Sequence, residues 1–126
     1  MTYLQRLGTM PTTEGLNPRD IEILQKHFDV YAREVLINGE AIRWDYIEEI
    51  EVAVAARAKG PSGWLVKYFV MGGDRYHIGF YFGYNEAVLT NLTREAATYV
   101  LQMVAYYAPV RIKYAGPDDL VPLTEF

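Results

Sequence analysis

Residues 64–82, WLVKYFVMGGDRYHIGFYF, read as two β-strands joined at Gly72-Gly73-Asp74. Successive side chains of a strand point to opposite faces, so slipping a hairpin by one residue changes which faces meet. The loop length can therefore be tested on the residues themselves. A two-residue loop sets Phe69 against Tyr76 and Lys67 against Ile78, which puts a charge within an apolar face. A three-residue loop pairs Val70 with Tyr76, Tyr68 with Ile78, Val66 with Phe80 and Trp64 with Phe82, a face wholly apolar or aromatic. The second register is the expectation, with a glycine in the positive-φ position that such loops commonly need. The opposite face then carries Leu65, Lys67, Phe69 and Met71 from the first strand, and Arg75, His77, Gly79 and Tyr81 from the second.

Upstream, residues 50–58 alternate, with Ile50, Val52, Val54, Ala56 and Ala58 on one side and Glu51, Ala53, Ala55 and Arg57 on the other. That is the pattern of a half-buried strand. Gly60-Pro61-Ser62-Gly63 supplies turn chemistry, and a loop over residues 59–63 sets Ala58 against Trp64 and Val54 against Tyr68, extending the core face over three strands. Further back, FDVYAREVLI (residues 28–37) is strand-like and Asn38-Gly39 is a strong hairpin signal. A type I′ turn there pairs Leu36 with Ala41, Val35 with Ile42 and Glu34 with Arg43, before a bend at Asp45-Tyr46. Asn17-Pro18-Arg19-Asp20 reads as a helix start, and Ile21, Leu24 and Phe28 give the short helix to His27 one apolar stripe.

Downstream, Gly83-Tyr84-Asn85-Glu86 opens a loop, and Val88-Leu89 forms a short strand or tucks under the sheet. Thr93 caps a long helix that Pro109 stops, with Ala97, Val100, Leu101, Val104 and Ala108 as its buried stripe, flanked by Met103 and Tyr107. Residues 110–114 suit an edge strand. The organisation expected is a flexible arm over residues 1–16, one domain over residues 17–114 and an extended tail over residues 115–126. The fold class is α+β: an antiparallel meander capped by one C-terminal amphipathic helix, with a short N-terminal helix.

Composition narrows the function. At 126 residues the chain can close one core without metal or disulfide staples, and it has no cysteine for disulfide or thiolate chemistry. No secretory signal opens it and no apolar run approaches the roughly 20 residues of a membrane span, so a soluble cytoplasmic protein is expected. Asp45, Glu48, Glu49 and Glu51 account for the net charge of −4. The remaining charges cancel and leave no basic stripe, so neither nucleic acid nor an anionic membrane is an expected partner. Eleven tyrosines favour strands and half-wet recognition surfaces.

No residue is assigned a catalytic role and no cofactor is expected. His27 and His77 are the only histidines and lack a second ligand at metal spacing, and Ser62 lies in a Pro-Gly turn rather than a nucleophile elbow. The acidic group Asp45, Glu48, Glu49 and Glu51 could serve a divalent metal or a general base, but a solvated rim accounts for it better. Gly72 and Gly73 serve a hairpin rather than a phosphate loop, because no helix follows them.

The segment Gly39-Glu40-Ala41-Ile42-Arg43-Trp44-Asp45-Tyr46-Ile47-Glu48-Glu49-Ile50 resembles the strand, bend and strand of bacterial pleckstrin-homology-like (PH-like) domains, with their W-x-x-I-x-x-I step. The order of an antiparallel meander followed by one amphipathic helix is similar too. The resemblance spans residues 28–108 and implies a split barrel, or a strongly bent sheet, plugged by that helix. The family's lipid-binding members hold inositol phosphates with Lys and Arg around the first hairpin loop. Here that loop is Ile37-Asn38-Gly39-Glu40 without a cation, so phosphoinositide binding does not follow.

What the resemblance implies is a non-catalytic scaffold or interaction domain. Its candidate binding face is the outer one, Leu65, Lys67, Phe69, Met71, Arg75, His77 and Tyr81, covered either by the helix of residues 18–27 or by a second copy in a homodimer. The alternative is a small-molecule binder or enzyme, with a pocket between sheet and C-terminal helix lined by Trp44, Trp64, Tyr68, Tyr99 and the acidic group.

Overall fold

A computed structural model describes residues 2–54 and 75–125. Asn17 accepts the Asp20 N–H at 2.8 Å through its side-chain oxygen and, with Pro18 in the first turn, opens α1 (Pro18–His27). Phe28 then takes extended geometry and the chain passes directly into β2 (Phe28–Val30).

The single strand expected over residues 28–37 is two. The chain reverses after Val30 and returns as β3 (Glu34–Ile37), pairing Phe28 with Ile37 and Val30 with Val35. Distant partners hold this reversal: the Trp44 indole N–H donates to the Tyr31 carbonyl at 2.7 Å, and the Trp44 N–H to the Arg33 carbonyl at 3.2 Å. Asn38 and Gly39, at φ 52° and 85°, make the turn into β4 (Glu40–Arg43). The pairs Glu34 with Arg43, Val35 with Ile42 and Leu36 with Ala41 are those the sequence predicts. Arg43 nevertheless engages Asp45, in a two-pronged contact at 2.9 and 3.0 Å, and lies over the Tyr46 ring. Strands β2, β3 and β4 form a sheet of their own.

A 3-10 turn over Trp44–Tyr46 leads into β5 (Glu49–Val54), and the W-x-x-I-x-x-I step is a buried spine, with Trp44, Ile47 and Ile50 all in the core. The larger sheet also holds β1 (Thr2–Leu4), β6 (Tyr76–Phe82), β7 (Asn85–Leu92), β8 (Lys113–Ala115) and β9 (Leu123–Glu125), in the order β7-β6-β5-β8-β1-β9. Among the described residues it is open, with β7 and β9 at its edges, and is not closed into a barrel. All its pairs are antiparallel except β5 with β8.

Four expectations are corrected by this topology. Both edges of β6 are taken, by β5 and β7, so Ile78 faces Val52 and Leu89, and Phe80 faces Ile50 and Ala87. Their expected partners over residues 64–70, and the strand expected over residues 55–58, lie outside the described residues. Residues 2–4, expected in a mobile arm, are a strand between β8 and β9, and the C-terminal tail supplies β9. The edge strand expected over residues 110–114 is instead β8, inside the sheet between β5 and β1. Three-residue strands such as these carry no alternation to read.

The faces themselves are as the alternation predicts. Tyr76, Ile78 and Phe80 are buried with Ile50 and Val52, while His77 and Tyr81 look to the other side. Thr93 caps α2 (Arg94–Tyr107) by accepting the Ala96 N–H at 3.1 Å. Val100, Leu101 and Val104 press its apolar stripe into the core that the inner face shares with Trp44 and Phe80. No helix among the described residues is long and apolar enough to cross a membrane.

Candidate functional site

The register places the outward side chains in rows. Glu86, Tyr81, Glu49, Lys113, Tyr3 and Thr124 succeed one another from β7 across to β9, and beside them run Val88, Gly79, Glu51 and Ala115. His77 stands opposite Ala53. Helix α1 packs against β2 and α2, and α2 against the inner face, so the outer face is covered by neither helix.

Tyr81 organises the centre. A Cβ added at Gly79 would lie 3.4 Å from its ring, so the ring rests over the glycine and its hydroxyl reaches the next strand. The hydroxyl faces two carboxylates: its hydrogen bond with Glu86, then that with Glu51 at 3.1 Å, pushes its pKa up to about 12. The phenol is therefore neutral at ordinary pH and acts as a donor. Next to it Glu48, Glu49, Glu51, Gly83 and Lys113 complete a hollow of about 330 Å³. Of the acidic group, Glu48, Glu49 and Glu51 gather here, whereas Asp45 is turned to Arg43. Among the described residues no three His, Cys, Asp or Glu side chains are placed to hold a metal ion.

His77 has a structural partner. Its Nδ1 accepts the Asn91 N–H at 3.1 Å, where the β6–β7 pairing shifts between Tyr76 and Ile78 and Asn91 adopts φ 62°. An imidazolium has no lone pair to accept with, so the ring is neutral and carries its proton on Nε2. Burial lowers its pKa, which favours the same state. Of the expected binding face, Tyr81 and His77 thus share the outer surface and half-buried Arg75 precedes them in the chain. Leu65, Lys67, Phe69 and Met71 lie outside the described residues.

Of the residues expected to line an aromatic pocket, Trp44 is a core side chain. It is 1% exposed, stacked on Tyr107 at 5.5 Å between ring centroids and bonded to Tyr31. Tyr99 borders a separate surface hollow with Thr12, Glu14 and Arg94, and Trp64 and Tyr68 lie outside the described residues. Lys113, Glu86 and Tyr3 were not legible as members of the outer face. Only the pairing of β1, β7 and β8 brings them there.

Compared with protein-family models, curated proteins and solved structures, the chain finds no match in any of the three.

Proposed function

We propose that the chain is a non-enzymatic protein-interaction domain that self-associates through the outer face of its larger sheet. The observation that carries this reading is the row Glu86–Tyr81–Glu49–Lys113–Tyr3 on a face that neither helix covers. Tyrosine suits such a surface, offering a large apolar ring and one polar tip. The row is also asymmetric in charge, acidic toward β7 and cationic toward β1, where Arg111 lies over the Tyr3 ring. A twofold axis across the row sets the Lys113 end of one copy against the Glu86 end of the other, so the face is complementary to itself. Kinship with PH-like domains rests on residues 39–50 and on α2; the open sheet gives it no further support.

Sedimentation at micromolar concentration tests the proposal. The wild type should have twice the mass of the 14.4 kDa chain. Lys113→Glu should be monomeric, and adding Glu86→Lys should restore the dimer by exchanging the two signs. Ala53→Arg, a bulky charge at an exposed position of the same face, should also give monomers that remain folded. A monomeric wild type, or a dimer indifferent to all three changes, overturns the reading.

A further inference from the structure

Tyr107 ends α2 with its ring held from two sides. It stacks on the Trp44 indole, the planes 9° apart and the centroids 5.5 Å apart, and stands edge-on to Tyr106 at 5.0 Å. Trp44 is itself buried and tied to the Tyr31 carbonyl, so the core carries the Tyr107 hydroxyl at a fixed point. What that hydroxyl meets is a sulfur. It donates to Met10 Sδ at 3.9 Å, joining residues 97 positions apart in the chain.

Met10 is placed quite differently. Its side chain is 50% exposed, in a stretch without helix or strand. The stretch is tied down on one side by the Leu7 N–H, which donates to the Ala105 carbonyl at 3.2 Å. On the other side the Leu16 N–H donates to the Thr13 carbonyl at 3.0 Å. A thioether is a weak acceptor and the contact is long, so the sulfur fastens the stretch only loosely. The same exposure opens it to oxidants. Met103, the only other methionine among the described residues, is 3% exposed and sits in the core.

We propose that Met10 is a site of reversible oxidation, and that its sulfoxide latches the N-terminal stretch to α2 through the Tyr107 hydroxyl. The oxidant is a hydroperoxide. The Sδ lone pair attacks one peroxide oxygen, an S–O bond forms as the O–O bond breaks, and the hydrogen on the attacked oxygen passes to the departing one. The sulfur is oxidised and the peroxide reduced, hydrogen peroxide leaving as water. Because the hydroxyl occupies one side of the sulfur, the oxygen arrives from the solvent side, and a turn of the unbranched side chain then offers it to Tyr107. A long sulfur contact becomes an O–H···O hydrogen bond to a strongly polarised acceptor. Methionine sulfoxide reductases reverse the step. Neither residue belongs to the outer face, so the latch is independent of self-association.

Hydrogen peroxide added to the full chain is the test, with oxygen uptake at each methionine mapped by mass spectrometry and backbone order over residues 8–12 followed by NMR. Met10 should be oxidised about tenfold or more faster than Met103, since access governs the rate. Oxidation should raise the order parameters of residues 8–12 toward the roughly 0.85 of rigid backbone. Tyr107→Phe keeps the ring stack and should be oxidised as fast, yet show no rise. Met10→Leu should show none either, which separates Met10 from oxidation elsewhere in the chain. Should Tyr107→Phe not fold, Met10→Gln decides: its amide oxygen stands in for the sulfoxide oxygen and should raise the order without peroxide. Equal oxidation of Met10 and Met103 overturns the proposal. So does unchanged order in oxidised wild type or in Met10→Gln, or a rise that survives in Tyr107→Phe or Met10→Leu.

Discussion

Asp20 accepts a hydrogen bond from the Thr93 hydroxyl at 2.7 Å, joining the first turn of α1 to the N-cap of α2 across 73 residues. Thr93 at the same time accepts the Ala96 N–H, so one hydroxyl caps its own helix and fastens another to it. Asp20 is 4% exposed, and its carboxylate sits where two helix N-termini converge, the end of the dipole that favours negative charge.

Removing either partner should therefore cost more than an ordinary cap. Thr93→Ala loses the cap, worth about 1 kcal/mol, and strands a buried carboxylate oxygen, for a total of roughly 2–3 kcal/mol. Asp20→Ala should cost about 1–3 kcal/mol by leaving the hydroxyl unpaired. The double variant should be less destabilised than the sum of the two, and urea unfolding of the four proteins measures the difference. Strict additivity would mean that the two side chains do not cooperate in solution.

The His77–Asn91 contact makes stability depend on pH. Burial holds the folded-state pKa below the ordinary 6.5, so protonation favours the unfolded chain. The contribution is fully present above the unfolded-state value, and it is lost as pH falls below about 6.5 toward the folded-state value. His77→Gln keeps an acceptor for the Asn91 N–H but cannot titrate. Between pH 7.5 and 5.5 the urea midpoint of the wild type should fall further than that of His77→Gln, the carboxylates contributing alike to both. Parallel profiles would contradict the assignment of Nδ1 as acceptor.

Much of the local structure was legible because its causes are local. Asn38-Gly39 fixed the β3–β4 register because both residues accept positive φ, and Thr93 with Pro109 bounded α2 by its cap and its stop. Alternation sorted Ile78 and Phe80 from His77 and Tyr81 correctly even though the strands beside them were misassigned, since a face is a property of one strand and a partner is not. The misreadings of residues 28–37 and of the two ends of the chain share one origin. The turn after Val30 is held by Trp44, and β1, β8 and β9 are defined by pairing between the two ends of the chain. Such contacts leave no periodic trace. Part of the candidate face was readable for the same reason, whereas Lys113 and Tyr3 reach it only through non-local pairing.

Gly79 in β6 and Gly116, which follows β8, should respond oppositely to the same substitution. At Gly79 a Cβ would meet the Tyr81 ring at 3.4 Å, an ordinary contact distance, and the backbone lies in a region open to any residue. Gly79→Ala should therefore be neutral or stabilise by up to about 0.4–1 kcal/mol, because alanine restricts the unfolded chain. At Gly116, φ is +152° and a Cβ would lie 2.9 Å from the Val52 Cβ and 3.0 Å from the Val52 carbonyl oxygen. Neither atom can yield without moving β5. Gly116→Ala should cost at least about 1–3 kcal/mol through overpacking and backbone strain together. Val52→Ala in the Gly116→Ala background should recover only the side-chain part, because the carbonyl stays in place. Thermal unfolding of the variants decides the matter: a stable Gly116→Ala protein would show that the approach of residue 116 to β5 is looser than the distances imply.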